Sequence, residues 1–324
     1  MRVSRRTFIS GLVNAPAIAV AAPLPIEFPT RPIRVVVPFP AGGPADLAGR
    51  LIAEELTSNL KQGCVIENVG GAGGAVGTEQ VGRAEADGYT LLVGSSSTQV
   101  LNGLLRPKPS FNPAFVFAPV GMIAEVPLVI VVRADGPIKT LQDILQQLER
   151  DPTGQNYGSA GAGSISHLTT EYLLRTANRK AEHVPYRGSA PAVMSVIAGD
   201  TLFFIDALAG VTGQIGSTLR AVAVTSSARS SLLPEVPTVA ESGFPGFESS
   251  TWYGLFAPRE TPEPVQQKIR SALVAGLRKL VDERRVRALG MTLKPELTPA
   301  DIQQFVEAET GKWKPIVAAA NVTP

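Results

Sequence analysis

Val35-Val36-Val37-Pro38-Phe39-Pro40-Ala41-Gly42-Gly43-Pro44-Ala45-Asp46-Leu47 runs an apolar, β-branched stretch into a small-residue turn and then into a helical pattern. Asn156-Tyr157-Gly158-Ser159-Ala160-Gly161-Ala162-Gly163-Ser164-Ile165-Ser166-His167-Leu168 repeats that order in the second half of the chain. A helix that starts straight after a Gly turn leaves its first N–H groups without carbonyl partners and aims the positive end of its dipole at the turn, which makes an anion site. Two such turns facing each other across a cleft suit a small carboxylate. The duplication predicts two related α/β halves.

Around the first turn, residues 33–37 read as a strand buried on both faces of a parallel sheet. Residues 46–60 place Leu47, Leu51, Ile52, Leu56 and Leu60 at helical spacing. A strand at 64–68, a second Gly-rich turn at 70–77, a helix at 78–86 and a strand at 90–93 extend the pattern, and alternation of this kind argues for right-handed crossovers in a parallel sheet. The second half repeats it with a helix at 165–177, a strand at 181–186, a helix at 192–198 and a strand at 202–206. Between the halves, the apolar run 126–132 reads as a strand that crosses from one lobe to the other, and 252–257 as the returning crossover. Helices at 263–287 and 299–319 are expected to pack back on the first lobe. Lobe 1 is therefore expected to comprise residues 30–125 and 250–324, and lobe 2 residues 126–249, with the two crossovers as a hinge.

The 324 residues are too many for one small core, and 44% hydrophobic with 18% charged residues describes a folded chain. A net charge of +2, with both signs mixed along the sequence, excludes a nucleic-acid footprint. At the start, Ser4-Arg5-Arg6-Thr7-Phe8-Ile9 precedes a short apolar stretch ending in small residues, so residues 1–22 read as a twin-arginine export signal leading to the periplasm. The apolar stretch is well short of the ~20 residues of a membrane span. Cys64 is the only cysteine, which rules out an internal disulfide and leaves no thiol for lipid attachment after the signal.

Candidate chemistry is sparse. The chain has two histidines, His167 and His183, and neither an H-E-x-x-H nor a G-x-S-x-G pattern. The run Gly70-Gly71-Ala72-Gly73-Gly74 follows a strand but lacks the G-x-G-x-x-G spacing, and no phosphate loop occurs. No catalytic residue, metal or cofactor is expected. Asp46 either caps its helix or shapes a pocket, or does both. His167 sits in the first turn of its helix, as a surface or capping residue or as a pocket residue. Tyr186 and Asp206 end strands, the edge where open α/β sheets bind ligands. Ser95-Ser96-Ser97-Thr98 ends another and offers hydroxyls to carboxylate oxygens.

The ordered set of these motifs resembles the Bordetella uptake gene family, the periplasmic receptors of tripartite tricarboxylate transporters. The match is carried by the first turn, by Glu67-Asn68 with Gly71-Ala72-Gly73-Gly74, by Asp87-Gly88-Tyr89-Thr90-Leu91-Leu92, by Ser159-Ala160-Gly161 with Gly163-Ser164 and His167-Leu168, by His183-Val184-Pro185-Tyr186 with Gly188-Ser189, by Ala223-Val224-Thr225, and by Val236-Pro237-Thr238-Val239-Ala240-Glu241-Ser242-Gly243. It spans essentially all of the chain after the signal. The resemblance implies a two-lobe, type II periplasmic-binding-protein fold, and a carboxylate held by backbone amides, hydroxyls and bridging waters of the two loops. It places Phe39, Ala41, Gly42, Gly43 and Asp46 on one wall with Ser95 and Ser96. Ala160, Gly161, Ser164 and His167 face them, with Tyr186 and Asp206 at neighbouring strand ends, Asp206 meeting an amine or a bound water. Two features depart from the family. Val69-Gly70 stands where Arg-Pro is usual, and the strand before Asp206 carries Phe203 and Phe204, which imply either altered packing or a less polar ligand.

The expected function is capture of a di- or tricarboxylate, amino acid or aromatic acid between two lobes, for delivery to membrane transporter subunits. A ligand sensor acting on a signalling partner and an enzyme on the same fold are the alternatives.

Overall fold

The computed structural model describes residues 27–106, 112–151, 154–320 and 322. The export signal expected at 1–22 lies outside them. In chain order the first half forms β1 (Ile33–Val37), α1 (Pro44–Leu60), β2 (Cys64–Asn68), α2 (Ala75–Gly82) and β3 (Thr90–Ser95). A wide π-helical turn (Ser96–Leu101), two short helices, α3 (Asn102–Leu105) and α4 (Pro113–Val116), and the long strand β4 (Phe117–Arg133) follow. The second half adds α5 (Leu141–Arg150), β5 (Asn156–Ser159), α6 (Ile165–Thr176), β6 (Glu182–Pro185), α7 (Ser189–Ala198), β7 (Phe203–Ala207) and β8 (Leu219–Val224). The chain closes with β9 (Ser250–Pro258), α8 (Glu263–Leu280), α9 (Arg284–Ala288), β10 (Thr292–Leu293) and α10 (Pro299–Ala320).

The duplication seen in the sequence is a duplication of topology. In one lobe β1 lies between β2 and β3, parallel to both, and β9 joins β3 antiparallel. In the other, β5 lies between β6 and β7, parallel to both, and β4 joins β7 antiparallel. Each lobe thus has a parallel three-strand centre built by two β-α units, which puts the strand-to-helix turns at one edge of each sheet.

β4 links the lobes. Residues Phe117 to Pro127 pair with β9 in the first sheet, and from Leu128 onward the same strand pairs with β7 and β8 in the second. It is longer than the 126–132 stretch suggested by hydropathy, because Pro119 and Gly121 interrupt the apolar run. A register shift between those two residues absorbs the interruption. The return differs from expectation. β9 stays within the first sheet along its whole length, starting with Ser250 opposite Pro127, so the chain crosses back just before it rather than within 252–257.

The helices deviate in ways the turns explain. α2 begins at Ala75, not residue 78, because a tight turn at Ala72–Gly74 leads directly into it. The helix expected over 263–287 breaks where Glu283 takes extended backbone angles, giving α8 and α9. α8 packs on α1. α10 packs on β4 and the π-helical turn and also reaches α6 of the second lobe. Trp313 on α10 is fully buried in a cluster with Val36, Leu92, Trp252 and Ile302. Phe203 and Phe204 are fully buried, and Phe203 stacks on Tyr157 with ring centroids 5.8 Å apart. Their apolar character therefore serves packing within the second lobe.

Candidate functional site

The strand-to-helix turns of the two lobes meet. The Ile165 N–H donates to Ser97 Oγ at 3.0 Å across the gap. Gly73, with φ +62°, sits so close to the second lobe that a Cβ added there would lie 2.6 Å from the Ala162 carbonyl oxygen. A side chain is excluded from that approach by both the backbone angle and the space.

Between the lobes is a small, partly open chamber. The first lobe supplies Phe39, Pro40, Gly43, Pro44 and Ala45 from the β1-α1 junction and Ser95 and Ser97 from the end of β3. The second supplies Ala160, Ser164, Ile165 and Ser166 from the β5-α6 junction, Ser189 from the start of α7, and Asp206 and Ala207 from the end of β7. Thr251 and Tyr253 on β9 close the back. An outer vestibule adjoins the chamber through the shared residues Phe39, Pro40 and Ala160, and carries Ala41, Asn68, Gly161, Tyr186 and Arg187.

The chamber's electrostatics follow from its helix ends. α1 starts with Pro44 behind Gly43, and α7 starts behind Gly188, and neither N-cap supplies a side-chain hydrogen bond. Their first-turn N–H groups and positive dipole ends remain available to a ligand. At α6, Ser164 caps the helix through the His167 N–H. Among the described residues lining the chamber there is no Lys, Arg or His, and the single charged side chain is Asp206. Ser189 Oγ donates to Asp206 Oδ1 at 3.1 Å, while Asp206 Oδ2 is buried without a hydrogen-bond partner. Burial pushes the Asp206 carboxyl up to about 7, against the opposing pull of the Ala207 N–H and the Ser189 hydroxyl.

Of the residues expected from sequence, Phe39, Gly43, Ser95, Ala160, Ser164 and Asp206 line the chamber. Ala41, Gly161 and Tyr186 line the vestibule. Gly42, Asp46, Ser96 and His167 border neither space; Asp46, Ser96 and His167 are buried behind the walls, and Gly42 is exposed.

Those four hold the walls in shape. Asp46 is buried, and its Oδ2 accepts from the Gly42 N–H at 2.9 Å and from Arg50 Nε at 2.8 Å, while Oδ1 accepts from Asn68 Nδ2 at 2.9 Å. Burial alone would raise its pKa, but Arg50, the Gly42 N–H and Asn68 together hold it below the ordinary carboxylate range. His167 Nδ1 accepts from the Gly163 N–H at 3.1 Å, and its ring stacks on His183 with centroids 3.6 Å apart. Burial lowers His167 to about 3, helped by His183, and burial lowers His183 to about 4. Ser96 Oγ lies 3.5 Å from Thr251 Oγ1.

Ser159 Oγ and His183 Nε2 are 2.6 Å apart, the contact of a nucleophile and its base. Ser159 is fully buried, its oxygen also accepts the Gly161 N–H at 3.2 Å, and it lines neither space. The pair braces the loop.

Ser97, Ser189, Thr251 and Tyr253 were missed by sequence reasoning. Ser97 and Ser189 carried a signal, since both stand in strand-end tracts already singled out. The π-helical turn brings Ser97 to the cleft and leaves Ser96 behind it. Thr251 and Tyr253 come from a strand remote in sequence and carried none.

Residues 48–322 match the family described as tripartite tricarboxylate transporter family receptor. The chain belongs to that family. Among solved structures, this receptor is similar to the periplasmic binding protein BugD, with 33% identity over 91% of this chain and 99% of that one and a TM-score of 0.84. It is also similar to Rpa4515 of R. palustris, solved with adipate, at 31% identity, 92% and 100% coverage and a TM-score of 0.86. MatC (Rpa3494) from Rhodopseudomonas palustris, with bound malate, matches at 33% identity, 90% and 100% coverage and a TM-score of 0.83. The fold is accordingly the two-lobe fold of periplasmic binding proteins.

Proposed function

We propose that this receptor traps a small organic carboxylate in the chamber between its lobes, in the periplasm, and presents it to the membrane subunits of a tripartite transporter. The observation that carries the reading is the convergence of the α1 and α7 N-termini, neither capped by a side chain, on a chamber walled by serines from both lobes. Helix ends and hydroxyls of this kind hold carboxylate oxygens without a cationic side chain. The neighbours solved with adipate and malate support the ligand class.

In this proposal residues 30–125 with 250–324 form one rigid body and 126–249 the other, and they rotate about the two points where the chain changes lobe. A ligand touching both turns favours the closed form by its extra contacts there. Delivery to the periplasm is assigned to a twin-arginine signal in residues 1–22. Fusing that segment to a reporter that exports only when folded tests the route.

Thermal-shift and calorimetric screening of di- and tricarboxylates, amino acids and aromatic acids, on protein unfolded and refolded to strip bound ligand, tests the receptor reading. At least one acid is expected to raise Tm by several degrees at millimolar concentration, as mass action on the native state requires. No response to any carboxylate would contradict it.

A further inference from the structure

The chamber presents an apparent contradiction. A site built for an anion has as its one charged lining residue another acid. Resting on the receptor reading above, we infer that Asp206 binds the ligand as a carboxylic acid, donating Oδ2–H to a ligand carboxylate oxygen, so that binding at alkaline pH draws a proton from solvent.

The geometry supplies the argument. Oδ1 is already an acceptor for the Ser189 hydroxyl, which leaves Oδ2 as the free position of the carboxyl group. Asp206 is 5% exposed and lines the chamber, and its orphaned Oδ2 requires a partner that the protein does not provide. A ligand carboxylate accepts from it and from the hydroxyl of Ser95, which lines the same chamber. An ammonium group would also satisfy Oδ2, but the first turn of α1 stands against it. A Cβ added on Gly210 would lie 2.7 Å from Pro44 Cγ and 2.8 Å from Asp206 Oδ2, which puts that oxygen beside the positive end of the helix. The field there favours an anion and opposes a cation.

The surrounding elements leave the proton to Asp206. α7 presents Ser189, β4 pairs Val129 opposite Asp206, and α1 presents Pro44, its Asp46 being held on the far side by Gly42, Arg50 and Asn68. β9 presents Tyr253, which burial and the nearby Asp206 push upward, out of reach of physiological pH. Asp206, raised to about 7 before any ligand arrives, takes up a proton readily when a second carboxylate enters.

Calorimetric titration of the wild type, Asp206→Asn and Asp206→Ala with adipate, malate and acetate between pH 6.5 and 8.5, where all three ligands stay ionised, tests the inference. The wild type is expected to lose about 20-fold in affinity across that range, the ratio set by titration of a group near 7. Buffers of different ionisation enthalpy should report close to one proton taken up per ligand at pH 8.5. Asp206→Asn keeps a donor in place, and should bind within about fivefold of the wild type at pH 6.5 with no pH dependence, while Asp206→Ala should bind at least tenfold more weakly. Wild-type affinity that is flat or rises with pH, or loss of binding in Asp206→Asn at every pH, would overturn the inference while leaving the receptor reading intact. Failure of the wild type to bind any carboxylate at any pH would instead overturn the receptor reading, and this inference with it.

Discussion

The first turn, 39–46, and the second, 159–167, solve the same backbone problem with opposite chemistry. Each must fix a Gly-rich loop whose N–H groups would otherwise be mobile or unpaired. The first ties the Gly42 N–H to a buried, ionised Asp46 that is neutralised by Arg50 and held by Asn68. The second ties Ala160, Gly161 and Gly163 to Ser166 Oγ, Ser159 Oγ and His167 Nδ1, an uncharged network backed by two stacked imidazoles. A loop clamped by charge is held strongly at neutral pH, whereas one clamped by neutral acceptors needs no counter-ion but depends on its histidines staying unprotonated. In both turns the residues nearest the Gly run work on the loop, and helix N-termini and serines line the chamber.

The harshest way to break the pair is to keep the turns from meeting. Gly73→Val places a branched side chain against the Ala162 carbonyl, and is expected to weaken ligand binding at least 100-fold by calorimetry while shifting Tm of the unliganded protein by only a few degrees. Gly42→Ala is the matched control. Its φ of +80° carries a strain of about 1 kcal/mol, but nothing lies within 4 Å of the added Cβ, so affinity should change less than tenfold.

Untying the first turn comes next. Asp46→Ala removes the acceptor for Gly42, Arg50 and Asn68, and should cost about 2–3 kcal/mol in urea unfolding together with at least tenfold in affinity. Acid separates the two turns more finely. His167 and His183 remain neutral in the folded protein but take up protons near 6.5 when unfolded, so their contribution makes stability fall as pH drops from 6.5 toward 4 and below. Asp46 acts in the same direction but in a lower pH window. Its lowered pKa contributes stability that is complete above the unfolded value of 3.8 and is lost only as pH falls through the folded one. Replacing His167→Gln, which preserves an acceptor for Gly163, should therefore reduce the loss of stability between pH 7 and 5 by about 1–2 kcal/mol, read by denaturation at the two pH values. Arg50→Ala should have the smallest effect, a barely detectable shift of the urea midpoint, because the guanidinium is 55% exposed and its pairing with Asp46 is screened by solvent.

Much of the fold is legible in the sequence, and the parts that are not have physical causes. The two strand-turn-helix copies were readable because β-branched runs, Gly turns and helical spacing are local signals. Pro119 and Gly121 concealed the first half of β4, since a tolerated bulge looks like a strand end in sequence. Asp46 and His167 were placed with the ligand from their positions in the first helical turn, yet a residue there can face either forward into the cleft or back to the loop's own N–H groups. Only the folded loop decides which. Ser97 replaced Ser96 because the wide turn shifts the order in which successive side chains face the cleft. Thr251 and Tyr253 meet the site through strand pairing, which no local pattern encodes.

The central claim is that the α1 and α7 helix ends, with the serines of both lobes, grip a carboxylate as such. The most direct measurement is calorimetry with the tightest-binding acid from the screen and with its primary amide, which keeps shape and size but removes the charge. Binding of the acid at least 100-fold tighter than the amide is the predicted result. Equal affinities would contradict the account.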